Sequence, residues 1–348
     1  MILVKAHKRI NKYIETEGAK MKVFEKIIGN QDAKMYFEKA VRENQLSHSY
    51  IFEGAYGIGK NTFAIELAKF ILCERKENSP CNECQSCLMI NSQNHPDVIH
   101  IEKDTKITKV ETIRENIVRE MEVKPYQSDY KIIIVKSADS ISIQGQNAML
   151  KTIEEPPSYG IIILICENIS SLLPTIKSRC IVVRFNPINS EEMKEYLQDR
   201  GITGVQQKVF EKISNGSIGV INDILEDETY LEVRRKSIDY LKRLEKAQII
   251  ELYDIVKELT DDKENIERIL EFWLLWYHDL AVVKATNTND LYYKDYEQQL
   301  LDMSYKLTYN KVSQNIEFIK SAILDIRQNI YSTFVIENLL LKLKERKK

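Results

Sequence analysis

A glycine-rich stretch, GAYGIGKNT at 54–62, holds the residues best suited to binding a phosphate group. It follows the apolar run Tyr50–Phe52 and leads into Phe63–Phe70, whose apolar residues have helical spacing. Glycines allow consecutive backbone N–H groups, and the positive end of the following helix, to face one anion. A strand, this loop and a helix are the context of the P-loop motif G-x-x-x-x-G-K. The predicted nucleotide-binding residues are Gly54, Gly57, Gly59, Lys60, Asn61 and Thr62.

The residues that should manage a magnesium ion are unsuited to it. Asn61 stands where a P-loop has a serine or threonine hydroxyl, and Thr62 cannot replace it, since one residue rotates a helical side chain by about 100°. An ATPase also needs acidic residues at the end of the neighbouring strand. Lys136 and Ser137 occupy those positions, and the first acid is Asp139. We therefore expect that ATP hydrolysis has been lost, and binding of ATP or ADP is in doubt.

Four of the six cysteines form a second cluster, with the spacing C-x7-C-x2-C-x2-C. Thiolates two residues apart can converge on one tetrahedral ion, and a closed set of four leaves no position for catalysis. The pattern predicts a structural zinc (Zn²⁺) site; an iron–sulfur cluster and four unrelated buried thiols are the less favoured alternatives. The predicted metal ligands are Cys73, Cys81, Cys84 and Cys87.

Arg179, within Ser178-Arg179-Cys180, is the third candidate. The motif follows a strand and a helix, where a neighbouring protomer's nucleotide could be met. An arginine in this position can stabilise the transition state of a partner's phosphoryl transfer without any catalytic competence of its own chain. The alternative is a surface arginine in a salt bridge.

Alternating apolar strands and amphipathic helices must position these groups. Helices are predicted at Val110–Met121 and Ser142–Ile153, the second ending before Pro156, because proline cannot continue a helix. The pattern is typical of a parallel α/β sheet. The predicted strands are Tyr50–Phe52, Val98–Ile101, Lys131–Val135, Ile161–Cys166 and Cys180–Phe185.

Strands cease at Asn189, and the rest of the chain has helical patterns. The predicted fold is an α/β P-loop domain with a parallel sheet and an inserted zinc module, followed by a small helical lid and an all-α C-terminal domain. Within it, Trp273, Trp276 and Tyr277 are expected to be packing core. The predicted divisions are an N-terminal extension at 1–20, with Met21 as an alternative start, the P-loop domain at 21–188 with its zinc module at 73–87, a lid at 189–228 and a helical collar at 229–348.

Composition narrows the classes of function. The 348 residues include 50 basic and 52 acidic side chains, with a formal net charge of -2. A protein that binds nucleic acid through its own phosphate contacts usually has a basic surplus, so DNA contact is expected to be shared with partners. No apolar run is long enough to span a bilayer, and no export signal is evident, which predicts a cytoplasmic protein without membrane contact.

Several motifs together resemble the delta-prime family of clamp-loader subunits of bacterial DNA polymerase III, in the AAA+ superfamily. They are Ile28–Gln31, His48–Phe52 before the glycine loop, the four-cysteine insertion, Asn147–Pro157 and Leu173–Cys180. The family's ATP-hydrolysing motor subunit, tau or gamma, has an intact P-loop and an acidic strand end. This chain departs from it at Asn61, Lys136 and Ser137, and at Gly219, where the motor carries a nucleotide-sensing arginine.

The resemblance implies a subunit of a hetero-pentamer, with motor subunits and a delta subunit, that places the sliding clamp on primed DNA. It also implies that Arg179 is offered in trans to a neighbouring ATP site and that the collar holds the ring together. The complex is part of the DNA polymerase III holoenzyme, a DNA-directed DNA polymerase and nucleotidyltransferase. Two alternatives are an active tau/gamma-like ATPase with unusual metal ligands and a free-standing zinc-dependent DNA-binding module.

Overall fold

A computed structural model describes residues 23–75, 80–102, 110–286 and 291–344. The predicted N-terminal extension and Met21 lie outside these residues. Within them the chain divides into two compact units. The first takes the residues up to Met193 together with Gly216–Gly219, and the second takes Lys194–Asn215 and the residues from Val220 onward.

The first unit is built on a five-stranded parallel sheet with the strand order β2-β3-β4-β1-β5. β4 is buried along its whole length, as a parallel strand covered on both faces requires. The five predicted strands are confirmed, and no strand end is shifted by more than one residue. The strands are β1 Ser49–Glu53, β2 Val98–Ile101, β3 Lys131–Val135, β4 Gly160–Cys166 and β5 Ile181–Arg184.

Helices cover both faces of the sheet. One face packs against an aromatic cluster that includes Phe37, Phe52 and Phe63, and the other packs against Ile113 and Met149. We count three consecutive helical segments, Val110–Ile113, Arg114–Arg119 (a π-helical turn) and Glu120–Glu122, as α4. The other helices of this part are α1 Gln31–Arg42, α2 Lys60–Leu72, α3 Gln85–Asn91, α5 Ile143–Glu154 and α6 Pro174–Lys177.

From residue 190 onward the described regular elements are helical. Trp273, Trp276 and Tyr277 are buried in the core of the second unit, which confirms that this aromatic stripe is packing core. None of the described helices is both long and apolar enough to span a bilayer. The α-helices are α7 Ser190–Gln198, α8 Gly204–Ser214, α9 Ile218–Glu226, α10 Tyr230–Lys246, α11 Leu252–Asp261, α12 Ile266–Ala285, α13 Glu297–Lys306, α14 Tyr309–Arg327 and α15 Ser332–Lys344.

Candidate functional site

The glycine loop joins β1 to α2, as its sequence predicts. Gly57 and Gly59 have φ angles of 71° and 91°, which side chains rarely adopt, and α2 begins directly after Gly59. Gly54 is required for a different reason: a Cβ there would lie 2.6 Å from the carbonyl oxygen of Phe185. The sequence has therefore specified the turn and its close approach to β5 through its glycines.

Lys60 is directed at its own loop. Its Nζ donates hydrogen bonds of 2.5 Å to the carbonyl oxygens of Gly54 and of Ala55, and the residue is only 7% exposed. Burial lowers the pKa of Lys60, and the acidic groups of Glu167 and Asp139 oppose that shift. The ammonium group that would reach a terminal phosphate is thus bound within the chain.

The two residues after Lys60 differ in their environments. The Oδ1 atom of Asn61 is buried and accepts no hydrogen bond from the described residues. Thr62 lies on the exposed side of α2. Its hydroxyl is therefore not turned inward to replace the missing Ser or Thr ligand, in agreement with the helical geometry expected from the sequence.

The end of β3 is also occupied by contacts within the chain. Lys136 forms an ion pair with Glu102, which follows the neighbouring strand β2. Ser137 has a left-handed φ of 52°. Asp139, which lies in a short 3-10 turn, accepts a hydrogen bond of 3.1 Å from the backbone N–H of Glu167 at the end of β4. Glu167 is a neighbour of this site that no motif in the sequence indicates.

The segment Gly216–Gly219 closes directly onto the glycine loop. The hydroxyl of Ser217 donates to the carbonyl oxygen of Tyr56 at 2.9 Å, and the backbone N–H of Gly219 donates to that of Gly57 at 2.8 Å. A Cβ on Gly219 would lie 2.5 Å from the Cα of Gly57, which real structures do not tolerate. Only glycine allows this approach of the two backbones.

These contacts do not fit a magnesium–nucleotide complex. The Lys60 ammonium is held by two carbonyl groups, and Lys136 would repel a cation where an ATPase presents a carboxylate. Asp139 remains close by, but one of its oxygens already accepts a backbone N–H. We derive no hydrolytic step from this loop.

The four cysteines converge as predicted. Their sulfur atoms all lie within 4.8 Å of one another, and the Cys73 and Cys84 sulfurs are 4.0 Å apart. A tetrahedral zinc ion with Zn–S bonds of about 2.3 Å would hold its ligands about 3.8 Å apart, so the cluster fits that ion with little movement. Such an ion would join the end of α2, where Cys73 lies, to the start of α3, where Cys87 lies.

Backbone N–H groups near the cysteine sulfurs favour the deprotonated form of the thiols. The N–H groups of Glu83 and Cys84 lower the pKa of the Cys81 thiol to about 6, whereas burial raises the pKa of Cys87. The N–H of Cys84 lies 3.3 Å from the Cys81 sulfur, and that of Cys87 lies 3.5 Å from the Cys84 sulfur. Donors aimed at the sulfurs favour thiolates, the form that binds metal.

A buried polar network ties the cysteine module to the rest of the unit. Lys69 of α2 is fully buried, and its Nζ contacts Glu66 at 2.5 Å and the Asn82 side chain at 2.9 Å. His95 lies 2.9 Å from the Ser86 hydroxyl. It lies outside the cysteine cluster.

Arg179 lies just after α6 and is 39% exposed. Its Nη1 donates to the carbonyl oxygen of Thr175 at 3.0 Å and contacts the Ser178 hydroxyl at 3.2 Å. Its Nη2 lies 2.9 Å from a carboxylate oxygen of Glu154, the last residue of α5. The arginine is therefore at the surface, with a carboxylate partner that the sequence analysis did not identify. Two acids directly before Pro156 were the signal that could have found it.

Comparisons with known proteins agree with these features. Residues 29–189 match the family described as DNA polymerase III, delta subunit. The delta-prime subunit of DNA polymerase III from Bacillus subtilis is 26% identical over 312 residues, or 88% of this chain and 93% of that protein. A gamma/tau subunit from Mycoplasma pneumoniae is 28% identical over 67% of this chain, which spans only 33% of its length. A gamma subunit from Buchnera aphidicola subsp. Baizongia pistaciae is 25% identical over 87% of this chain and 89% of that protein.

The chain is similar to clamp-loader subunits of DNA polymerase III. The resemblance to the delta-prime family is confirmed, and the parallel sheet with its glycine loop is the predicted α/β P-loop domain. Relatives of both the delta-prime and the tau/gamma kind are matched, so the particular role of this subunit depends on its own residues.

Proposed function

We propose that the chain is the non-hydrolysing delta-prime (stator) subunit of its clamp loader. In this role it works in the cytoplasm, at the replisome, within a hetero-pentamer of motor subunits (tau/gamma) and a delta subunit. The pentamer places the sliding clamp on primed DNA. The segment 189–228 acts as the lid, and 229–348 forms the collar through which the ring assembles.

The observation that carries this proposal is the closed glycine loop. Lys60 is bound to two loop carbonyls, and the backbone N–H of Gly219 donates to the carbonyl oxygen of Gly57. A nucleotide would have to break these contacts without the magnesium ligands that favour its binding. The chain therefore contributes to hydrolysis through a group offered to its neighbour, and Arg179 is that group.

The cysteine cluster is proposed to hold a structural zinc ion, bound by Cys73, Cys81, Cys84 and Cys87. When bound, the ion cross-links the end of α2 to α3 and stabilises an irregular segment that has little core of its own. Its charge and closed ligand set leave no open position for substrate.

The decisive experiment replaces Arg179 in a reconstituted loader. The complex is assembled so that only the motor subunit beside this chain can hydrolyse ATP. Arg179→Ala should leave assembly intact and reduce turnover at that site by about 10³-fold, as measured for other arginine fingers. Arg184→Ala, an exposed arginine paired with Glu53, is the matched control and should have little effect. Unchanged turnover in Arg179→Ala would contradict the role of the arginine.

An active ATPase is the second candidate, favoured by the tau/gamma relatives and by Asp139 and Glu167 near Lys60. It requires the purified chain to hydrolyse ATP by itself and to lose that activity in Lys60→Ala. We expect no turnover from the isolated chain. In the reconstituted loader, Lys60→Ala is expected to leave ATPase activity unchanged, in contrast to Arg179→Ala.

A further inference from the structure

Arg179 has contacts on both terminal nitrogens of its guanidinium group. Nη1 is held by the Thr175 carbonyl and the Ser178 hydroxyl, and Nη2 is paired with Glu154 at 2.9 Å. A guanidinium binds a phosphate most strongly through two parallel N–H groups. The carboxylate of Glu154 takes one of these donors and neutralises the charge that a partner's nucleotide would need.

Glu154 lies in an unfavourable place for an acidic side chain. It is the last residue of α5, is followed by Glu155, and therefore stands at the negative end of the helix dipole. The ion pair with Arg179 offsets this unfavourable interaction with the helix dipole. We therefore attribute the acidic residue at this position to its contact with Arg179 and not to the stability of α5.

We propose that Glu154 is a positioning residue that holds the guanidinium of Arg179 until the triphosphate of the neighbouring motor subunit displaces it. This inference depends on the proposed function of Arg179. Displacement exchanges one hydrogen-bonded anion for another and breaks no covalent bond. The two side chains are 39% and 44% exposed, and an exposed pair shifts an equilibrium by about 1.4- to 5-fold. The pair is therefore strong enough to favour the held state and weak enough to yield to a triphosphate.

The test is Glu154→Gln in the loader whose only hydrolysing site adjoins this chain. The substitution removes the charge and keeps the shape of the side chain. We expect the ATP concentration for half-maximal hydrolysis to fall by about 1.4- to 5-fold, with kcat unchanged, because saturating ATP displaces Glu154 in either protein. Glu155→Gln removes a charge from the same exposed helix end and is the matched control; it should leave both constants unchanged. A merely structural role for Glu154 would not lower the half-saturating concentration.

A double substitution separates this inference from the function on which it depends. In an Arg179→Ala background, Glu154→Gln should have no further effect, since the coupling between the two residues is absent. Suppose that Arg179→Ala reduces turnover. If Glu154→Gln then behaves like Glu155→Gln, or if Glu154→Gln raises the half-saturating ATP concentration or lowers kcat, the holding role of Glu154 is wrong and the proposed function of Arg179 stands. If Arg179→Ala itself has no effect, the proposed function is wrong and the holding role falls with it.

Discussion

Gly219→Ala is a direct test of how closely the segment 216–219 packs on the glycine loop. Gly219 lies in the first turn of α9 and has no positive φ, so alanine imposes no backbone strain. Helix propensity alone would stabilise the variant by up to about 1 kcal/mol. The new Cβ, however, would lie 2.5 Å from the Cα of Gly57 and 3.0 Å from its carbonyl oxygen. Both are backbone atoms that cannot rotate away.

The expected magnitude follows from these two contacts. Forcing the segments apart costs about 1–3 kcal/mol as overpacking, and losing the 2.8 Å hydrogen bond from Gly219 to Gly57 adds about 0.5–1.5 kcal/mol. After the gain in helix propensity, the net loss of unfolding free energy is about 0.5–4.5 kcal/mol. For a unit of this size, that loss lowers the midpoint of thermal unfolding by about 1 to 18 °C.

Calorimetry combined with tryptophan fluorescence assigns the effect to one unit. The chain's two tryptophans, Trp273 and Trp276, lie in the second unit, so fluorescence follows that unit while calorimetry records both. We expect a lowered transition that fluorescence does not report. Ser217→Ala, which removes the hydroxyl bond to Tyr56 without adding an atom, should cost only about 0.5–1.5 kcal/mol. A Gly219→Ala protein as stable as the wild type, or more stable, would refute the close packing.

Two further outcomes are expected from the cysteine module and its support. The purified chain should contain one zinc ion and no iron by elemental analysis; Cys84→Ser should lose the ion, whereas Cys166→Ser, at a buried cysteine outside the cluster, should keep it. The second prediction concerns Asp97: although burial opposes its ionisation, the backbone N–H groups of residues 126–128 hold its pKa below the usual range. Its stabilisation is therefore present above the unfolded pKa of about 3.9 and is lost as the pH falls through the lower folded pKa. Asp97→Asn should cost about 1.5–3 kcal/mol in urea unfolding at pH 7, and its difference from wild type should shrink below about pH 4; a difference independent of pH would contradict the ionised role.

Local patterns in the sequence predicted most of the first unit. A strand covered on both faces, such as β4, is a continuous apolar run, and a proline pair fixes the end of α5, so these elements can be found without knowing their neighbours. Strand ends are less accurately predicted: the sequence predicts Cys180–Phe185 as the last strand, whereas β5 comprises Ile181–Arg184. The cysteine cluster was predictable because its ligands are close in sequence.

The contacts that decide the chemistry were not predictable in the same way. Glu154 and Arg179 form an ion pair although β4 and α6 lie between them in the sequence. Gly219 contacts Gly57 from a part of the chain that follows the last strand of the sheet. The resemblance implies that Gly219 differs from the motor subunit at this position, but nothing in the sequence indicates that its backbone N–H contacts the Gly57 carbonyl. Such pairings follow from the fold as a whole, and no periodicity or spacing in one segment encodes them.

Lys60 and Arg179 are the two cationic side chains for which the sequence predicts contact with a phosphate group. They differ in the free energy needed to break their present contacts. Lys60 is 7% exposed, and withdrawing its ammonium would break two part-buried hydrogen bonds, to the carbonyl oxygens of Gly54 and Ala55, at a cost of about 1.5–3 kcal/mol each because the donor is charged. Arg179 is 39% exposed, and releasing it from Glu154 costs less than about 1 kcal/mol, because water can solvate both partners. Binding of a phosphate group to Arg179 therefore costs less free energy in broken contacts than binding to Lys60 does. Lys60 of the glycine loop is held by the carbonyl groups of that loop, whereas Arg179 at the surface can exchange Glu154 for a phosphate group.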